Sequence, residues 1–284
     1  MDVLAFADAA AFAEQVGPVI ERYPAFASIL ATNLDQSIHR PDDDARWFLI
    51  RDGEQAIGAA MHTTGFGLFL TPLPDRGAGA ATSVLVEALQ RAGVRPSVVN
   101  VPRGLTEPFL DVWEQRTGVK GRLTASSRLY EIESPPAPPT AGGTARLGSA
   151  ADLDVASRWT QEFHQEADPG RPPIDAERAV RRRLARGRLL FWDHDGRPVS
   201  MAGVGRPIAG VARIGGVYTA KPHRRQGFGA AVTVAATRQG FDDGADRCVL
   251  YADLANPTSN GIYQAIGYRP IGDNATITFD VSRR

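Results

Sequence analysis

The chain is short of cysteine: Cys248 is the only one in 284 residues. No disulfide within the chain and no cysteine-based metal site can be built from it. Histidine is also sparse, at five, and His164, His194 and His223 lack any ligand-pair spacing, so no metal is expected. No run approaches the ~20 apolar residues of a membrane span. Neither sign of charge prevails, since 32 basic side chains balance 32 acidic ones. Nucleic-acid binding, which rests on a basic excess, is therefore set aside. The stretch Met1–Asp8 carries no basic n-region, so the expectation is a cytoplasmic protein without a secretory signal. What is plentiful is apolar residues, at 43%, enough for two cores in units of about 140 residues.

Proline and glycine cluster at one place. Ser134–Gly143 reads Ser-Pro-Pro-Ala-Pro-Pro-Thr-Ala-Gly-Gly, in which the prolines cannot donate to a sheet and the glycines resist ordering. It predicts an exposed connector and domain boundaries of 1–133, 134–147 and 148–284. Directly after it, Ser149-x-x-Asp152 predicts a capped helix start, continued by Leu153, Ala156, Trp159, Phe163 and Ala167 at helical spacing. The basic cluster Arg178, Arg181, Arg182, Arg183, Arg186 and Arg188 reads first as a solvated helix face. A rim attracting an acidic acceptor or a phosphate is the second reading.

The two halves resemble each other. Arg46–Ala60 and Arg188–Ala202 each read as a strand, an Asp-Gly turn and a second strand. Asp75–Ala80 echoes Arg225–Ala230, and Trp113–Gly118 echoes Tyr263–Gly267. A duplicated unit accounts for this. The copies are not equivalent, because Pro74 stands where the second copy has Arg224 and Glu114 stands where it has Tyr263.

Val217–Ala231 holds the most chemistry. It predicts a strand, an Arg- and Gly-rich turn, and a helix opening near Phe228 and running to Asp242. Unpaired N–H groups at a helix start, flexible Gly227 and Gly229, and the charges of Arg224 and Arg225 make a cradle for a pyrophosphate. The Rossmann and P-loop spacings are absent. The pattern Arg224-x-x-Gly227-x-Gly229 resembles the coenzyme A loop of the GNAT superfamily of acyl-CoA-dependent N-acetyltransferases. A strand over Arg247–Asp253, then Asn256, Tyr263 and the pair Gly267-Tyr268, continue the resemblance over Ile214–Ile277.

The resemblance implies an α/β fold of two tandem GNAT-like domains, each a mixed, mostly antiparallel twisted sheet flanked by helices. It implies acetyl-CoA as acyl donor, a primary amine as acceptor, and direct attack in a ternary complex. Val217, Tyr218 and Thr219 would offer strand-edge groups to the pantetheine. Arg224, Arg225, Gln226, Gly227, Phe228, Gly229 and Ala230 would hold the pyrophosphate, with Asn256 also near the cofactor. The family splays its fourth and fifth strands at the thioester. Tyr263 would be the general acid, its phenol protonated at neutral pH. Glu166, then Glu162, are the candidate general bases, one helical turn apart at the end of the helix that adjoins the acceptor wall, Gln161–Arg188. Partners are expected to be a small-molecule amine, with no nucleic acid or membrane, and the chain to be a monomer. The alternative is a non-catalytic acyl-CoA-binding or scaffolding protein, which the presence of Tyr263 and Asn256 disfavours.

Overall fold

The computed structural model describes residues 1–40, 44–63, 67–167 and 175–279. The irregular segment expected around Pro169–Pro173 lies outside them. Two compact units form: one from 1–129 with 272–284, the other from 130–271.

The element order of the first half is β1 (Asp2–Phe6), α1 (Ala9–Arg22), α2 (Ser28–His39), β2 (Arg46–Asp52), β3 (Gln55–Thr63), β4 (Gly67–Leu70), α3 (Ala78–Arg91), β5 (Val98–Pro102), α4 (Thr106–Thr117) and β6 (Gly121–Ile132). The second half repeats that order with β7 (Thr144–Leu147), α5 (Leu153–Ala167), α6 (Ala176–Ala185), β8 (Leu189–His194), β9 (Arg197–Val204), β10 (Val211–Thr219), α7 (Phe228–Asp242), β11 (Arg247–Asp253), α8 (Pro257–Ala265) and β12 (Arg269–Phe279). Ten elements in the same sequence, twice over, are the signature of duplication. Both sheets are mixed and mostly antiparallel.

Strand alternation builds both cores by the same rule. In the first unit Phe48 and Ile50 face α3 and α4, beside Leu85, Leu89, Phe109 and Trp113. Their neighbours Trp47 and Leu49 face α1 and α2, beside Phe12, Val16 and Leu30. In the second unit Leu190 and Trp192 face α7 with Val232 and Ala236, while Leu189 and Phe191 face α5 and α6 with Trp159 and Val180. The β8–β9 turn, Asp195-Gly196, has positive φ at both residues (51° and 73°), the type I′ geometry that matches strand twist.

The compact units depart from the expected boundaries in two elements, β12 and the end of β6. The second part of β12 does not stay with the half that encodes it. Asn274–Thr278 pair antiparallel with Val98–Pro102 of β5, and Ala275, Ile277 and Phe279 enter the first unit's core. Conversely, Tyr130 and Ile132 at the end of β6 pack in the second unit's core. A strand's alternating pattern specifies which face is buried, not which neighbour it pairs with, so the sequence carries no sign of this exchange. The Pro/Gly connector is irregular and mostly exposed, as expected. It is nonetheless tied down within the second unit: Arg238 Nη1 donates to the Pro136 carbonyl at 2.8 Å and Trp192 Nε1 to that of Gly142 at 3.0 Å.

The capped start is confirmed as a capping box, with the Ser149 N–H donating to Asp152 Oδ2 at 2.8 Å. Asp152 also accepts both Arg146 donors at 2.8 Å. The hydrogen bond from Arg146, partly opposed by burial and aided by Ser149, holds the Asp152 carboxyl down from the usual 3.8 to about 2. A folded pKa below the unfolded one gives stability that is present above pH ~4 and lost as pH falls through about 2. A drop of that size corresponds to about 2 kcal/mol. Thermal unfolding at pH 7 and pH 2.5 should therefore show a smaller acid-induced loss for Asp152→Asn than for wild type. Equal losses would refute the linkage.

Candidate functional site

The site lies wholly in the second unit and begins with a strand that is left open on one side. Toward β9, β10 keeps a partner at both ends: Ile214↔Val204 and Gly215↔Gly203, then Tyr218↔Met201 and Thr219↔Ser200, with a bulge between Gly215 and Tyr218. Toward β11 the parallel ladder covers Val211–Arg213 alone. Past Arg213 the two strands part, and the edge from Ile214 to Thr219 has no ladder partner among the described residues. The bulge is made possible by Gly216, whose φ of 65° is in the left-handed region. An opened β10–β11 pair is what the sequence resemblance implied for the fourth and fifth strands.

From Thr219 the chain runs through a 3-10 turn, Lys221–His223, into the loop and then α7. Gly227 is the N-cap residue, with φ 84°, and no side chain caps the helix. The first N–H groups of α7 are therefore available to a ligand, with the helix dipole behind them. Arg225 also has positive φ (61°), a strained geometry for a side-chain-bearing residue that turns the loop sharply. The two glycines do different work. Gly227 supplies the backbone conformation, whereas Gly229 makes room within the protein, since a Cβ there would stand 3.2 Å from Thr219 Oγ1. Phe228 is buried, with its ring 4.9 Å from that of His194. Gln226 is exposed and Ala230 half-buried on the first turn.

Arg224 is held from several sides. Its Nε donates to the Thr219 carbonyl at 3.0 Å, its Nη2 to both Glu166 oxygens at 3.0 and 2.8 Å, and its guanidinium lies over the Tyr218 ring, 5.3 Å from the ring centre. Lys221 Nζ stands 3.6 Å from Glu166 as well. Glu162, one turn earlier on α5, accepts a 2.5 Å hydrogen bond from the Tyr218 hydroxyl. Burial first, then that bond to an anion, push the Tyr218 phenol up to about 12. The sequence put both glutamates on one face. The structure adds that each is engaged, Glu162 by β10 and Glu166 by the loop cations. Lys221 was missed by sequence reading, though its place three residues before Arg224 is a usable signal.

Tyr263, on α8, is buried between the rings of Tyr130 (6.1 Å) and Tyr268 (6.3 Å). Burial pushes its phenol up to about 12. Asn256 caps α8, accepting from the Ser259 N–H at 3.1 Å. The polar tie in this region is made instead by Asn260, which donates to the carbonyls of Asp253 and Asn256 and accepts from Tyr130 at 2.8 Å. Burial likewise raises the Cys248 thiol to about 12, which leaves it protonated and inert. Val217 is half-buried on the open strand.

The first unit repeats the backbone but not the charges. Gly77 caps α3 with φ 93° and no side-chain cap, and the Met1 side chain lies where a Gly77 Cβ would project. Glu114 is a surface carboxylate 3.5 Å from Lys120.

Comparison with known proteins gives a consistent picture. The model of the Acetyltransferase (GNAT) family matches residues 153–268. No curated protein matches the chain. Among solved structures, the chain is similar over 98% of its length to 95% of a GCN5-related N-acetyltransferase from Sphaerobacter thermophilus, at 19% identity and a TM-score of 0.60. It is similar over 90% to 96% of a GCN5-related N-acetyltransferase from Kribbella flavida, at 20% identity and 0.56. It also matches, end to end on both chains, a tandem GNAT protein from the clavulanic acid biosynthesis pathway, at 14% identity and 0.56.

Proposed function

With residues 153–268 a domain of the GNAT acetyltransferase family, we propose that the chain transfers an acetyl group from acetyl-CoA to a primary amine. The observation that carries this is the uncapped N-terminus of α7 behind Gly227, beside Arg224 and continuous with the open edge of β10. The pieces suit one extended ligand: N–H donors and cations for a pyrophosphate, then unpaired strand groups for the pantetheine amides. Acetyl-CoA supplies a thioester as acyl donor.

The chain's own residues then have separable tasks. Arg224, Arg225 and the amides of Gly227–Ala230 bind the diphosphate, and Val217–Thr219 align the arm. The neutral amine attacks the thioester carbon, the new C–N bond forms and the C–S bond breaks. One proton leaves nitrogen and one is delivered to sulfur, so charge balances. Glu162 is the better placed base, because it sits on β10 through Tyr218 while Glu166 is committed to Arg224 and Lys221. Tyr263 serves as the donor to sulfur. Its pKa of about 12 lies above that of a thiol, near 8.5. It therefore stabilises the thiolate by a hydrogen bond and completes proton transfer only as the nitrogen's proton becomes available. The first unit, with Pro74 and Glu114 at the key places, is a degenerate copy.

Calorimetric titration of acetyl-CoA tests the reading, with one site per chain as the expected result. Release of free thiol in the presence of an amine separates an enzyme from a non-catalytic binder. Glu166 competes with the ligand's phosphates for Arg224, so Glu166→Gln should bind acetyl-CoA roughly 2- to 5-fold more tightly. Weaker binding by that variant would show that Glu166 positions Arg224 rather than competing for it.

A further inference from the structure

Two arginines face the side of the second unit's sheet opposite α7, and neither has an anionic partner among the described residues. Ala212, Ile214, Cys248 and Leu250 point toward α7, so alternation sends Arg213 and Tyr251 to the other face, where α5 and α6 pack. Arg213 is the last β10 residue laddered to β11, and its Nη1 is buried with no hydrogen-bond partner. Arg183 starts on the exposed surface of α6 but reaches inward. Its Nη1 would lie 3.1 Å from a Cβ on Gly203 and 3.0 Å from one on Gly216. The guanidinium is thus laid against the bulge where β10 parts from its neighbours, in room that two glycines provide.

The buried charge is that of Arg213, with the Arg183 guanidinium as its like-charged neighbour. Burial, followed by Arg182, pulls the Arg183 pKa down. Burial does the same to Arg213, with Tyr251 opposing and Arg183 adding to the fall. No ion pair to either is found among the described residues. Arg213 is the more desolvated member of the pair, whereas Arg183 is exposed along much of its length and brings only its guanidinium to Gly203 and Gly216. An anion joining the two would relieve both the buried charge and the repulsion. The pyrophosphate of coenzyme A is not that anion. The pyrophosphate loop begins after Thr219, six residues of strand from Arg213, or roughly 15–20 Å.

We infer that Arg183 and Arg213 bind an oxyanion on the acceptor, so that the substrate is an acidic amine: a small molecule carrying the nucleophilic nitrogen together with a carboxylate or phosphate. This rests on the transferase reading above and names its substrate class. Planar guanidinium forks suit either oxyanion. The geometry places the anion at the bulge, beside the opened strand, while Glu162 on Tyr218 faces the same side for the amine.

The test uses the full chain and matched acceptors in a thiol-release assay. L-Aspartate and L-glutamate are compared with their α-carboxamides, and O-phosphoethanolamine with ethanolamine. Arg183→Met, Arg213→Met and the Lys version of each are run alongside wild type. The expected result is transfer to at least one acidic member and a preference over its neutral partner of 30-fold or more. In the Met variants kcat/KM for that acceptor should fall roughly 30- to 100-fold, with the Kd for acetyl-CoA unchanged and the melting temperature unchanged or raised. The Lys versions should recover part of the loss. The arm preferred, carboxylate or phosphate, identifies the oxyanion. Transfer that ignores the acidic group, or none to any acidic amine while acetyl-CoA binds, overturns the proposal. Absence of acetyl-CoA binding to wild type overturns the transferase reading instead. A Met variant that fails to melt cooperatively is replaced by its Lys counterpart, in which a full wild-type rate would equally count against a planar oxyanion clamp.

Discussion

An Arg224→Ala/Gly227→Asp double variant should bind acetyl-CoA at least ~100-fold more weakly than wild type, by calorimetry, with its thermal unfolding little changed. Arg224 contributes charge-assisted hydrogen bonds, each worth about 1.5–3 kcal/mol. Removing it also leaves Glu166 facing the incoming phosphates with only the more distant Lys221, 3.6 Å away, to offset its charge. At Gly227 the φ of 84° suits glycine, and aspartate tolerates that region better than most side chains. The substitution therefore keeps the turn while placing a second anion on the amides of α7. The two effects together exceed the ~3 kcal/mol that 100-fold requires. Arg224 and Glu166 are both partly exposed, each side chain 39%, so loss of their mutual pair costs the fold little. Affinity within threefold of wild type would remove the α7 cradle from the mechanism.

Tyr263→Phe should lower kcat by roughly 100-fold or more with the Kd for acetyl-CoA unaltered, the mark of an interaction made during reaction rather than in binding. The substitution is close to isosteric. Tyr263 meets Tyr130 and Tyr268 through its ring, and phenylalanine retains both contacts. Because burial holds the phenol at about 12, the wild-type rate should show no downward bend near pH 10. A bend there that disappears in the phenylalanine variant would mean a more solvated hydroxyl than the packing gives. A kcat unchanged by the substitution would reduce Tyr263 to a packing residue.

The loop was readable because its parts are contiguous: Arg224, Gly227 and Gly229 act within six residues, and the helix they open spans Phe228–Asp242 as its pattern required. The hairpins were readable for the same reason, from Asp-Gly turns and alternating strands. What stayed hidden depends on residues far apart in the chain. Glu166 and Arg224 are 58 positions apart, and nothing local in either announces the other. Arg183 looked like one more cation on a basic helix face. Its inward reach is decided by Gly203 and Gly216, on strands that sequence alone does not bring beneath α6. Asn256, which the resemblance puts near the cofactor, uses its side-chain Oδ1 to cap α8, a role that any Asn before Pro at a helix start can take. The exchange of β12 was invisible because Ala275, Ile277 and Phe279 satisfy either sheet equally well by alternation.

That exchange also sets the order of events during synthesis. Domains ordinarily fold in turn as they leave the ribosome, at 5–20 residues per second. Here Pro102 waits for Asn274, some 170 residues and roughly 10–30 s later. Until then β5 offers an unsatisfied edge, and the core around Phe109 and Trp113 lacks Ile277 and Phe279. The N-terminal unit is thus the last to finish, and a nascent chain spends that interval with an open strand edge, the feature through which sheets pair with the wrong partner.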